Sequence, residues 1–184
     1  MAYQFEKLSI LVVDDNKPMR ELIASMFAIF GCDNIVEAAN GEEAFDLFCK
    51  HKYDIIVTDW RMGPIDGLEL LELVRTDPAS PNPFVPVLMV TGYSELKRVL
   101  AARDTGTTEF LAKPFSAYTL YKRVVEIIEK PRQFVRADTF FGPDRRRIPS
   151  HGYKGPFKRE SDVRPQDYKT NNNFDVDIIY RDAF

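Results

Sequence analysis

Short apolar runs alternate with longer segments of helical period from the start of the chain to about residue 130. The runs predict strands at Ser9–Val13, Asn34–Ala38, Tyr53–Thr58, Val85–Val90 and Thr108–Ala112. The periodic segments predict helices at Lys17–Phe30, Gly41–Lys50, Gly67–Arg75, Ser94–Thr105 and Ser116–Lys130. Wholly apolar strands that alternate with helices are typical of a parallel sheet covered on both faces. We therefore predict an α/β fold, a doubly wound five-stranded parallel sheet with helices on both faces.

The pattern weakens after Lys130, where prolines become frequent and basic residues begin to outnumber acidic ones. We divide the chain into a folded domain at residues 5–130 and an extended C-terminal tail at residues 131–184. Two apolar clusters interrupt the tail, at Phe134-Val135 with Phe140-Phe141 and at residues 174–180. They are predicted either to stay disordered or to dock near Ser94–Thr105, the fifth strand and the last helix. Docking on a second subunit would make a homodimer.

The charge and cysteine content exclude several classes of protein. The chain has 25 basic and 28 acidic residues, and acids surround the run Arg145-Arg146-Arg147, so we expect no DNA partner. The two cysteines, Cys32 and Cys49, form no disulfide or zinc pattern and favour a reducing, cytoplasmic setting. No apolar run approaches the roughly 18 residues of a membrane span, so we expect no membrane partner.

Polar side chains follow four of the predicted strands. Asp14 and Asp15 follow the first strand, Asp59 the third, Thr91 the fourth and Lys113 the fifth. Taken singly, each could be a helix cap or a surface group. The carboxyl ends of parallel strands open on one edge, however, where ligands bind, so we expect these side chains to converge. Three clustered carboxylates repel one another unless a cation lies among them.

The residue types at this edge favour Mg²⁺ and a phosphoryl guest. Oxygen ligands without Cys or His fit Mg²⁺ or Mn²⁺ better than zinc, and Mg²⁺ completes its coordination with phosphate oxygens. Lys113 would neutralise phosphoryl oxygens and Thr91 would donate a hydrogen bond. Asp59 stands alone at the end of a central strand and is the predicted nucleophile, whereas the adjacent Asp14 and Asp15 suit metal coordination.

These residues give the chain a resemblance to a known family. Residues 5–130 resemble a response-regulator receiver domain, the phosphoacceptor module of bacterial two-component signalling, and especially its single-domain chemotaxis members. The resemblance is carried by Val13-Asp14-Asp15, Asp59-Trp60, Asp66-Gly67, Thr91-Gly92 and Lys113-Pro114. It implies a flavodoxin-like sheet of strand order 2-1-3-4-5. It also implies a histidine kinase or phosphotransfer protein that phosphorylates Asp59, and a downstream protein that binds the phosphorylated form.

The resemblance further implies roles for single residues. Asp15 would bind Mg²⁺ directly beside Asp59, Asp14 would act largely through water, and the backbone carbonyl of Arg61 would supply another ligand. The same resemblance gives Thr91 and Lys113 contacts to the phosphoryl oxygens. It also implies a cis Lys113–Pro114 peptide and a switch role for Phe110, for which plain core packing is an equal alternative.

The loop after Asp59 departs from the family pattern. The family usually places proline at the position of Gly63, but here proline is residue 64, so we expect the loop to bend differently and the carbonyl geometry at Arg61 to change. Arg61 and Tyr93 are bulky and lie two residues beyond Asp59 and Thr91. We predict that they shield an acyl phosphate from water.

Three functions compete on the sequence. The leading prediction is a phosphorylation-switched signalling protein that acts by binding a partner and is not an enzyme. A Mg²⁺-dependent phosphohydrolase that uses Asp59 is the second, but it needs a proton donor two residues after Asp59, and Arg61 does not give up its proton near neutrality. A scaffold that no longer uses phosphate is the third.

Overall fold

The computed structural model describes residues 5–92, 106–137 and 140–143 of the chain. A 3-10 helix at Phe5–Lys7 precedes five strands, which are β1 (Ser9–Val13), β2 (Asn34–Ala38), β3 (Ile55–Asp59), β4 (Val87–Gly92) and β5 (Glu109–Lys113). The α-helices are α1 (Lys17–Ile29), α2 (Gly41–Lys50), α3 (Gly67–Thr76) and α4 (Ala117–Glu129). The predicted helix at Ser94–Thr105 lies outside the described residues.

The five strands form one parallel sheet, as the apolar runs predict, in the order β2-β1-β3-β4-β5 that the family resemblance implies. The order turns back at β1, so chain connections leave β1 and β3 in opposite directions along the sheet. Such a switch point opens a crevice at the carboxyl ends of the strands. The fold therefore places the residues after β1 and at the end of β3 side by side.

Two apolar layers cover the sheet, one on each face. Leu11, Val13 and Ile56 point into the layer that also contains residues of α2 and α3. Ile10, Val12 and Val57 point into the opposite layer, which contains residues of α1 and α4. Because successive side chains of a strand alternate between faces, a continuous apolar run serves both layers. The prediction of helices on both faces is confirmed.

Three strands end later than predicted. The ladder joins Asp59 to Val90 and Gly92 to Lys113, so β3, β4 and β5 continue through the residues that follow the apolar runs. Main-chain pairing does not require an apolar side chain, which is why the hydrophobic pattern ends early. As a result Asp59, Thr91 and Lys113 are held inside the sheet.

Helix caps fix where the helices begin. The Asn16 side chain accepts a hydrogen bond from the Met19 N–H at the start of α1. Asp66 and Glu69 form a capping box at the start of α3. Capping satisfies N–H groups that have no partner in the first helical turn, so it sets the direction in which each helix leaves the sheet.

The first apolar cluster after Lys130 forms a β-hairpin that the sequence does not predict. Strands β6 (Phe134–Ala137) and β7 (Phe140–Pro143) pair antiparallel in a separate two-stranded sheet. The second cluster at residues 174–180 and the run Arg145-Arg146-Arg147 lie outside the described residues. Among the helices described, none combines the length and the apolar character needed to cross a bilayer.

Candidate functional site

Three carboxylates meet at the carboxyl edge of the sheet, where the sequence predicts a metal site. Asp14 and Asp15 follow β1, and Asp59 is the last residue of the adjacent β3. One oxygen from each of these side chains lies within 4.8 Å of the others. Asp14 is 1% exposed, Asp59 is half-buried and Asp15 is exposed. The cluster therefore has a buried side and a side open to solvent.

Lys113 at the end of β5 links two of these carboxylates. Its Nζ lies 2.8 Å from Asp59 Oδ1 and 3.0 Å from Asp14 Oδ2. The next peptide bond, Lys113–Pro114, is cis, as the family resemblance implies. A group attached to Asp59 would therefore have its oxygens next to this ammonium.

Burial and neighbouring charges shift the pKa values of Asp59 and Lys113. Burial raises the pKa of Asp59, and the nearby Asp14 adds to the rise, although the bond from Lys113 opposes it. Burial lowers the pKa of Lys113, but its contacts with Asp59 and Asp14 outweigh this, so the pKa is raised. A second cation would favour ionised Asp59, because opposite charge stabilises a carboxylate.

Arg20 and Asn16 hold the acidic loop in place, and the sequence analysis did not single them out. Arg20 Nη1 donates to the Asp14 carbonyl oxygen at 2.7 Å, and its Nε donates to Glu37 Oε2 at 3.0 Å. The Asn16 N–H donates to Asp14 Oδ1 at 2.9 Å. Arg20 lies on α1 and Glu37 on β2, so only the fold brings them to the site. No local spacing in the sequence signals this contact.

The other predicted site residues occupy the surrounding positions. Thr91 is fully buried near the end of β4, the strand paired with β3, and it donates a hydrogen bond to the Gly92 carbonyl. Arg61 is exposed in the loop after β3, and its role as a ligand stays a prediction. Phe110 is half-buried and packs against the layer of α2 and α3. Tyr93 lies outside the described residues.

The loop from Asp59 to Gly67 packs tightly on the end of β3. A Cβ on Gly67 would lie 2.1 Å from the Asp59 carbonyl oxygen, which excludes any side chain there. The Gly67 N–H donates to the Trp60 carbonyl at 2.9 Å. The Gly63–Pro64 peptide is cis, a feature of the shifted proline that the sequence did not predict. The first residue of α3 therefore packs directly against the backbone of Asp59.

The donor set fits a hard divalent cation. Carboxylate oxygens are the ligands that Mg²⁺ prefers, and here three such groups lie close together with one exposed member. Lys113 and the ion together would balance the negative charge of Asp14 and Asp59. The exposed Asp15 lies on the side that an ion can reach from solvent. Within the described residues this is the one cluster of acidic, histidine or cysteine side chains with metal-binding spacing.

Comparisons with known proteins agree with this geometry. Residues 10–125 match the family model described as response regulator receiver domain. The chain is 32% identical over 125 residues to the chemotaxis protein CheY-3 of Vibrio cholerae serotype O1, covering 68% of this chain and 95% of that protein. It is 33% identical over 123 residues to the chemotaxis protein CheY of Pseudomonas aeruginosa, covering 67% and 98%.

A solved structure with a similar fold is the receiver domain of the Francisella response regulator 1452. It has 31% sequence identity and a TM-score of 0.58, and the match covers 65% of this chain and 94% of that one. The family match ends at residue 125, so the hairpin after Lys130 lies beyond it.

Proposed function

Because this chain belongs to the response regulator receiver family and is a two-component response regulator, we propose that Asp59 is its phosphoryl acceptor. The donor is a histidine kinase or a phosphotransfer protein. An Asp59 oxygen attacks phosphorus, a P–O bond forms, and the P–N bond to the donor histidine breaks. The product is an acyl phosphate on Asp59, and the histidine leaves with the electron pair of the broken bond.

The contact of Lys113 with Asp59 is the observation that carries this proposal. The ammonium 2.8 Å from Asp59 Oδ1 is placed to pair with phosphoryl oxygens after transfer. Asp14, Asp15, Asp59 and the carbonyl of Arg61 would hold Mg²⁺, which supplies further positive charge against the incoming anion. Thr91, at the end of the neighbouring strand, would donate its hydroxyl to the same oxygens.

We propose a switch without catalytic turnover as the output. A phosphoryl group adds nearly two negative charges beside Thr91, and a response by Phe110 would carry the change to a surface that binds a downstream protein. A hydrolase would need a proton donor where Arg61 stands, and a guanidinium keeps its proton near neutrality. Arg61 and Tyr93 would instead shield the acyl phosphate from water.

The setting follows from the same chemistry. Its partners are proteins, a phosphoryl donor and a downstream target, rather than DNA or a membrane. We place this exchange in the cytoplasm, where a reducing environment keeps Cys32 and Cys49 as the free thiols seen here.

Incubation with acetyl phosphate and Mg²⁺ tests the proposal. The intact protein should gain the mass of one phosphoryl group, and EDTA should prevent the gain. Asp59→Asn should abolish labelling, whereas Asp54→Asn, a half-buried carboxylate just before the same strand, should leave it intact. Labelling that survives in Asp59→Asn would refute the acceptor assignment, and rapid release of inorganic phosphate would favour a hydrolase over a switch.

A further inference from the structure

Arg75 is a buried cation at the edge of the sheet opposite to Asp59. It lies near the end of α3 with 5% of its surface exposed. Its Nε and Nη2 donate to the Gly106 carbonyl at 3.2 and 3.1 Å, and its Nη1 donates to the Pro83 carbonyl at 2.8 Å. Burial lowers the pKa of Arg75 to about 9. A buried guanidinium is costly unless its donors are satisfied, so these bonds tie α3 to Pro83 before β4 and to Gly106 before β5.

The β6–β7 hairpin places one aromatic ring over this cation. The Arg75 Cζ atom lies 5.1 Å from the centre of the Phe134 ring, a distance that allows cation–π attraction. Phe134 and Phe141 also pack on Phe84, with ring centres 5.2 and 5.3 Å away. The two hairpin rings lie 5.6 Å from each other. The ring that covers Arg75, Phe134, is thus itself held in a cluster with Phe84 and Phe141.

The segment leading into the hairpin reaches the first residue of β5. Glu109 is 4% exposed, and its carboxylate pairs with Arg132, just before β6, and with Arg123 on α4 at 3.4 Å. Removing one partner from a buried charge leaves it undercompensated and destabilises the fold. Glu109 is therefore a second point at which residues after Lys130 hold β5.

Gly106 is the third point of contact. Its φ of +95° is a conformation that side chains disfavour, and a Cβ there would lie 2.9 Å from the Phe141 carbonyl oxygen. The hairpin main chain therefore packs directly against Gly106, whose carbonyl accepts the hydrogen bonds from Arg75. Gly31 has a similar φ of +90°, but nothing lies within 4 Å of its Cβ position.

We propose that residues 131–137 and 140–143 are a built-in clamp on the start of β5, docked in cis on the surface formed by Arg75, Phe84, Gly106 and Glu109. This clamp is part of the folded unit, although it lies beyond the family match. It fixes the amino-terminal end of the strand that carries Lys113 at its other end. The inference depends on packing at the edge far from Asp59 and does not require that Asp59 be phosphorylated.

Hydrogen–deuterium exchange in the full-length protein tests the clamp. Phe134→Ala should speed exchange of the amides at residues 106–111 by about tenfold or more, because a lost aromatic contact opens this region locally. The amides of β1 and β2, at the far side of the sheet, should change much less. Tyr118→Ala is the matched control, since Tyr118 is an aromatic residue with 65% exposure on α4.

A pair of glycine variants compares a positive-φ glycine that meets the hairpin with one that has open space. Gly106→Ala and Gly31→Ala both place a side chain at positive φ, but only Gly106→Ala collides with the hairpin. We expect rapid exchange at residues 106–111 in Gly106→Ala and not in Gly31→Ala. Phe134→Leu, which keeps apolar volume, should give a smaller effect than Phe134→Ala and serves if that variant folds poorly.

The clamp is overturned by either of two results. One is unchanged exchange at residues 106–111 in Phe134→Ala and Gly106→Ala. The other is an equal rise across β1, β2 and β5, which would show a general loss of stability. Because the readout is amide exchange, its failure leaves the Asp59 assignment untouched, and failure of phosphoryl labelling leaves the clamp untouched.

Discussion

Lys113 forms ion pairs with two carboxylates of the site at once, Asp59 and Asp14. Asp14 is fully buried, so it depends on this partner. The position at the end of β5 explains how one flexible side chain can bridge two different strands. Removal of the Lys113 ammonium should therefore lower the stability of the fold and make it depend more on a metal ion.

Lys113→Gln should lower the free energy of unfolding by about 1–3 kcal/mol in EDTA, because two half-buried or buried carboxylates lose their charged partner. Added Mg²⁺ should raise the free energy of unfolding more in Lys113→Gln than in the wild type, since the ion would replace the missing charge. Urea denaturation with and without Mg²⁺ measures both effects. Lys17→Gln, which removes an exposed pair with Glu21, is the control. An equal response to Mg²⁺ in both variants would contradict the prediction.

Arg20 is expected to position the acidic loop rather than to contact the phosphoryl group. Its bond to the Asp14 carbonyl is 2.7 Å long and ties the loop to Glu37 on β2. Arg20→Ala should weaken Mg²⁺ binding roughly 10-fold or more, as losses of groups that orient metal ligands do. A titration followed by the fluorescence of Trp60, the single tryptophan and the neighbour of Asp59, reports the affinity.

Glu37→Gln provides the comparison for Arg20. It keeps the Asp14 contact of Arg20 but removes the charge that orients it, so its Mg²⁺ affinity should fall between those of the wild type and Arg20→Ala. Identical Mg²⁺ affinity in the wild type and Arg20→Ala would rule out the positioning role.

At the scale of elements, Asp54 ties the start of β1 to the turn before β3. The Ser9 N–H donates to Asp54 Oδ2 at 2.8 Å, and the Asp54 N–H donates to the Ser9 carbonyl at 2.8 Å. Burial raises the pKa of Asp54, although the bond from Ser9 opposes the rise. The folded protein therefore holds a proton on Asp54 more tightly than the unfolded chain does.

This shift predicts a pH-dependent effect of Asp54→Asn. Ionised Asp54 disfavours the fold at neutral pH, and the penalty disappears as pH falls through the raised pKa. The variant should be more stable than the wild type at neutral pH, and the difference should vanish in acid. Urea denaturation from pH 7 downward measures this, with the exposed Glu42→Gln as control. A variant that is less stable at neutral pH would contradict the prediction.

The sequence predicts the elements of the sheet well because the apolar runs serve both layers. It misses the strand ends, since Asp59, Gly92 and Lys113 pair through the main chain while their side chains break the apolar pattern. It misses the β6–β7 hairpin for a different reason. Its short aromatic pairs gain burial only against Phe84 and Arg75, which come from distant segments.

The candidate site is likewise predictable only in part. The polar residues that follow each apolar run are readable from the sequence, so the convergence of Asp14, Asp15, Asp59 and Lys113 could be expected. Arg20 and Glu37 were missed because their contact joins a helix to another strand. Arg75 and Glu109 were missed because charged residues are normally exposed, and only the folded packing shows that these two are buried.

At the scale of the whole molecule, a metal ion that binds only the folded state must stabilise it. We expect the free energy of unfolding to rise with Mg²⁺ by about 1.4 kcal/mol for each tenfold concentration above the dissociation constant. Asp15→Asn should shift the onset of this rise to higher Mg²⁺ concentrations, because it removes the exposed carboxylate of the cluster. Urea unfolding over a Mg²⁺ series measures the slope and the concentration at which the rise begins. A wild-type stability that is independent of Mg²⁺ would exclude the site.

The division of the interior by the sheet has a consequence for protein engineering. Side chains of the layer beneath α1 and α4 share no space with those beneath α2 and α3, since five strands separate them. A designer can therefore vary residues such as Ile23 or Val124 in one layer by library selection, while the packing of the other layer stays unchanged.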